Sequence, residues 1–114
     1  KPEGMENTRV MKFLLLVRVS GSSMLPTLKS GQRALFVKVK RADVNLLGKV
    51  VLISRINNLG ARDFFQIKRV REVKDGMFFV TGDNPEFSTD SREFGWLNSD
   101  EIVGQMVFKL NRLF

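Results

Sequence analysis

Apolar residues along the chain come in short runs and alternations rather than at helical intervals. Phe13 to Ser20 reads as a buried strand, with Phe13-Leu14-Leu15-Leu16-Val17 flanked by Lys12 and Arg18. Arg33 to Val39 alternates, with Ala34, Phe36 and Lys38 on one face and Leu35, Val37 and Val39 on the other. Further strands are expected over Lys49–Ser54, Phe64–Val73, Met77–Thr81 and Gln105–Leu110. Asn57-Asn58-Leu59-Gly60 and Lys74-Asp75-Gly76 are turn signals, because Asn, Asp and Gly tolerate positive φ. Apart from a turn around Asn98–Glu101, no segment sustains a 3.6-residue apolar period. Strands at about 8–12-residue spacing, separated by turns, argue for an all-β fold: a small barrel or sandwich with little helix. Phe36, Phe64, Phe65, Phe78 and Phe79 are expected in its packing, and Trp96 as a clamp on the preceding loop.

At 114 residues the chain is one domain's worth. We read residues 1–9, polar and without period, as a mobile arm, and 10–114 as the single domain. Met5 is expected to lie near a natural start. No run approaches the ~20 apolar residues of a spanning helix.

Composition changes the picture mainly through its zeros. There is no His, no Cys and no Tyr. That excludes a zinc site, an iron–sulfur cluster, a disulfide framework, a thiol nucleophile and a Ser-His-Asp triad. Nucleophilic chemistry is left to Ser, Thr, Lys, Asp and Glu. The net charge of +7 favours an acidic partner or describes a solvated basic surface.

Two loops are unusual. One is Ser20-Gly21-Ser22-Ser23-Met24-Leu25-Pro26-Thr27-Leu28, and the other runs from Gly82 to Gly95. The second is longer than an ordinary connection; it is either functional or a surface loop held by Asx and Ser/Thr turns. A serine nucleophile without histidine needs another base. A neutral lysine amine can serve if it is desolvated or set beside another cation. Lys68 is the candidate, in Phe64-Phe65-Gln66-Ile67-Lys68-Arg69-Val70, with Arg69 as the adjacent cation. Taken alone, a strand lysine is more often a surface residue with its stem laid over apolar neighbours.

Ser23-Met24-Leu25-Pro26-Thr27, Ile67-Lys68-Arg69-Val70, and Gly82-Asp83-Asn84 with Ser88-Thr89-Asp90-Ser91-Arg92 and Gly95 together resemble the type I signal peptidase family of Ser-Lys proteases. Each motif alone is weak, but the three in this order are specific. The second loop, with Pro85-Glu86 and Phe94-Gly95, further resembles a subgroup that matures nickel-type superoxide dismutase by trimming its leader.

The resemblance implies Ser23 as nucleophile, Lys68 as general base and Ser88 as the hydroxyl orienting its amine. Asp90 and Arg92 are implied as a loop-supporting ion pair that Arg69 joins. Asp83 and Asn84 are implied as loop-shaping residues, and Met24, Leu25 and Pro26 as lining the substrate cleft. The Ser23 N–H is implied as one oxyanion donor. Some family members have a serine hydroxyl two positions before the nucleophile; here that position is Gly21, so a backbone amide made accessible by Gly21, or Ser22 if the loop turns, is left as the second. An extended peptide is expected to add beside a sheet edge. The partner implied is a precursor protein with a leader. No cofactor and no resident metal are expected; nickel would belong to the substrate. The location implied is cytoplasmic.

Three alternatives remain at this point. An ordinary signal peptidase domain without its membrane anchor would use the same chemistry. A nucleic-acid-binding barrel would use Lys38, Lys40, Arg41, Lys68, Arg69, Arg71 and Lys74, but leaves both loops unexplained. A self-cleaving repressor-type Ser-Lys domain needs an internal cleavage segment, and none is evident.

Overall fold

The computed structural model describes residues 13–110. Six strands form one antiparallel sheet: β1 (Leu14–Arg18), β2 (Arg33–Lys38), β3 (Val50–Ile53), β4 (Gln66–Lys74), β5 (Met77–Thr81) and β6 (Ile102–Lys109). Their spatial order is β1-β2-β6-β3-β4-β5. Helical structure among the described residues is limited to a four-residue helix, α1 (Ser91–Phe94), and 3-10 turns at Val44–Leu46, Pro85–Phe87 and Ser99–Glu101. The all-β expectation with little helix therefore holds, and no helix among the described residues is long and apolar enough to cross a membrane. The arm expected over residues 1–9 lies outside the described residues.

The packing is organised by β3, whose four residues are all buried. Alternation sends Val51 and Ile53 into one apolar cluster, with Val70, Phe78, Val80, Leu97 and Ile102. Val50 and Leu52 enter another, with Val19, Met24, Leu28, Ala34 and Phe36. A strand buried on both faces reads as a continuous apolar run, as Val50-Val51-Leu52-Ile53 does. Register shifts at Leu35/Phe36, Leu52/Ile53 and Val70/Glu72 mark irregularities of the kind that bend and twist a strand. Asp75 and Gly76 close the β4–β5 hairpin with φ of 52° and 73°, the double positive φ of a tight hairpin turn.

Two expectations about burial are corrected. The first strand is not buried: among the described residues β1 is a sheet edge whose one strand partner is β2, and Leu14 and Leu16 are 38% and 59% exposed. Phe64 and Phe65 are not core either. They precede β4, in irregular chain, and are 77% and 58% exposed. Phe36 and Phe78 are buried as expected. Phe79 meets Trp96 edge-on, with centroids 5.3 Å apart.

The two-faced burial of β3 yields a test. Leu52→Ala should cost about 2–5 kcal/mol, through lost burial and the cavity it leaves. Leu16→Ser on the exposed edge should stay within about 0.5 kcal/mol. Urea unfolding of both variants measures the contrast.

Candidate active site

Lys68 and Arg69 are adjacent on β4, so their side chains leave opposite faces of the sheet. Lys68 shares its face with Val70 and sits opposite Val51 in the β3 pairing, both fully buried. The lysine is itself only 3% exposed. Its amine donates to Ser88 Oγ at 2.9 Å. Ser88 in turn donates to Asp90 Oδ2 at 2.8 Å. Burial lowers the Lys68 pKa below its ordinary value; Asp90 and Glu93 oppose this, and Arg92 adds to it.

Asp90 is completely buried and caps α1. Its carboxylate accepts from the Gly82 N–H at 3.0 Å and from the Arg92 N–H at 3.1 Å. The Arg92 guanidinium adds two bonds, at 2.9 and 3.0 Å. Glu93 returns the cap by accepting from the Asp90 N–H. Burial alone would raise the Asp90 pKa, but these donors outweigh it and hold it at about 2.

Arg69 does not join this pair, which corrects the sequence reading. It makes a two-pronged contact with Asp83, at 2.9 and 2.8 Å, and donates to the Gly48 carbonyl. Facing away from Lys68, and with its charge met by Asp83, it is not the cation that lowers the lysine's pKa. Asp83 also accepts from Thr27 and, at 3.3 Å, from Arg71. Its pKa is lowered: the hydrogen bonds and charges of its partners exceed the upward push of burial.

The second loop also grips the first. The Asn84 N–H donates to the Ser23 carbonyl at 2.8 Å, and its side-chain amide to the Ser22 carbonyl at 3.0 Å. Gly82 is wedged between the halves. A Cβ there would lie 2.6 Å from the Ser23 carbonyl oxygen and would collide with Ser88 Oγ and Cβ. Only a hydrogen fits, so Gly82 sets how closely the Ser23 loop approaches the Lys68–Ser88 pair. Sequence reasoning quoted Gly82 only as part of a motif, because the meaning of a missing Cβ depends on neighbours from distant segments.

Ser23, Met24 and Lys68 line one cavity of about 560 Å³, together with Val17, Ser20 and Thr89. Gly21, Ser22, Leu25 and Pro26 do not line it. The Gly21 N–H points to Ser30 Oγ at 3.4 Å, and the Ser22 carbonyl accepts from the Leu25 N–H in a tight turn. The chain then winds away from the cavity, with the Leu28 N–H on the Met24 carbonyl. Met24 itself is 2% exposed and belongs to the core beneath the cavity. Ser20, Phe64, Phe65 and Thr89 are lining residues that the sequence reading did not assign.

The model of the signal peptidase, peptidase S26, family matches residues 53–111. The chain belongs to this family. Signal peptidase IB of Staphylococcus aureus strains COL and Mu50 is 46% identical to it over 37 residues, covering 32% of this chain and 19% of each relative. The matched part thus spans about a fifth of the curated relatives' length. The family match includes Lys68 and the whole second loop. Ser23 lies outside it and is tied to it through Asn84 and Gly82.

The Asp90 cluster sets an acid dependence. Its carboxylate titrates at about 2 when folded against 3.8 when free. The stabilisation is therefore present above pH ~4 and fades as pH falls through about 2. It amounts to about 2 kcal/mol at ~1.36 kcal/mol per pKa unit. Asp90→Asn should lose at least that much at pH 7 and show a flatter stability profile between pH 5 and 2, read by urea unfolding.

Proposed function

We propose that this protein is a serine endopeptidase whose nucleophile is Ser23 and whose general base is Lys68. One observation carries the reading: a lysine amine shut away from water and hydrogen-bonded to Ser88 opens onto the cavity that Ser23 lines. A buried, weakly basic amine is the proton acceptor that a serine needs when no histidine is available.

The neutral Lys68 amine takes the Ser23 hydroxyl proton as Oγ attacks the scissile carbonyl. The tetrahedral oxyanion is met by the Ser23 N–H, a donor of the kind worth about 3–4 kcal/mol. Lys68 then protonates the departing amine, leaving an acyl-enzyme. Water, deprotonated by the same amine, releases the acyl group. Ser88 fixes the amine's direction, and Arg92 offsets the Asp90 charge that would otherwise keep the lysine protonated.

The substrate class we propose is a precursor protein that loses an amino-terminal leader, as membership of the family suggests. Within that class, the second-loop run Gly82-Asp83-Asn84-Pro85-Glu86 through Gly95 supports the precursor of nickel superoxide dismutase. The names of the Staphylococcus relatives favour a second reading, removal of signal peptides from exported proteins. Incubation with each kind of precursor, followed by mass spectrometry of the new amino terminus, separates the two.

Ser23→Ala and Lys68→Ala should each abolish cleavage while leaving thermal unfolding cooperative; full activity in either overturns the dyad. In the native enzyme kcat/KM should rise with pH, with a midpoint below the ordinary lysine value of 10.5, because the active form is the unprotonated amine. A flat profile from about pH 6 to 10 contradicts a lysine base. Gly82→Ala should lower kcat at least about tenfold, through a misaligned approach of the two halves. An unchanged kcat removes the close-approach argument.

A further inference from the structure

A second hollow, of about 580 Å³, adjoins the catalytic cavity, and Phe65 lines both. Its walls include Phe13, Leu15, Lys38, Lys40 and Arg62. The strand β1 connects the two hollows: Val17 lines the first, Leu15 and Phe13 the second. Residues two apart share a face, and four residues of strand cover about 13 Å. An extended polypeptide alongside β1 would leave one hollow and enter the other within a few residues.

The second hollow is electropositive. Lys40 Nζ lies 4.7 Å from the centroid of the Phe13 ring. Arg62 donates to two carbonyls, those of Ser54 and Asp100, and neither cancels its charge. Among the described residues no ion pair involves Lys38, Lys40 or Arg62. A single carboxylate residue, Asp100, stands among the lining residues against these three cations. Apolar walls beside exposed cations suit a side chain with a short apolar stem and an anionic end.

We infer that this hollow is a specificity subsite for an acidic side chain of the polypeptide being cleaved, about four to six residues from the scissile bond. The inference rests on the peptidase reading and goes beyond it by naming a sequence preference.

The test uses the whole protein and quenched fluorescent peptides of one sequence. They carry Glu, Ala or Lys at the fourth, fifth or sixth residue on either side of the cut. At one of these positions Glu should exceed Ala and Ala exceed Lys, with a span of about tenfold in kcat/KM, expressed mainly in KM and reduced by salt. The Lys38→Gln/Lys40→Gln variant, altered only at exposed side chains, should lose the preference and keep its kcat on the Ala peptide. Equal rates at every position, or a preference untouched in that variant, overturn the subsite and leave the peptidase standing. Cleavage of none of the peptides overturns the peptidase reading and the subsite with it.

Discussion

The arrangement depends on keeping one amine out of water without handing it a counter-ion. Lys68 is buried, which disfavours the ammonium, yet a carboxylate lies one hydroxyl away. Direct contact with Asp90 would restore the charge as an ion pair. Ser88 stands between them, accepting from the amine and donating to the acid. Asp90 is meanwhile saturated by Arg92, by the Gly82 amide and by the start of α1. The ionised acid is thus committed to holding the loop, and its pull on the lysine is blunted by the guanidinium beside it.

Ser23 and Lys68 come from segments with no local reason to meet. What joins them is mostly backbone. Asn84 reads two carbonyls, and Gly82 contributes only the absence of a side chain. Such contacts fix the position of the Ser22–Ser23 peptide whatever side chains surround it. Asp83 extends the clamp by joining Arg69 on β4 to Thr27 beyond the serine. Three consecutive residues therefore fasten both loops to one strand.

The strands were legible because period-two alternation and turn chemistry are local signals, and the Asp75-Gly76 hairpin is the clearest instance. The central place of β3 was legible in its unbroken apolar run. Hydrophobicity alone could not tell an edge from a centre, so β1, Phe64 and Phe65 were read as buried. Ion-pair partners were equally hidden. Arg69 sits beside Lys68 in sequence, but strand alternation turns it to the other face and to an acid 14 residues away. The Ser, Lys and second-loop motifs could be read from residues; the cavity residues Ser20 and Thr89 could not, since nothing in their neighbourhoods distinguishes them from loop polar groups.

The exposed apolar residues are the least economical feature of the molecule, and their distribution is informative. An edge strand with exposed leucines invites pairing with another chain. Here Val17 and Val19 of the β1 segment border the cavity together with Phe64, Phe65 and Ile67 before and within β4. On the proposed peptidase reading that liability has a use, because an extended chain docked there would offer its main chain to the edge and its side chains to the hollows. Folding alone would favour covering such a strand. On the proposed reading, the exposed leucines of β1 belong with the approach to Ser23, and so to the same design as the buried amine.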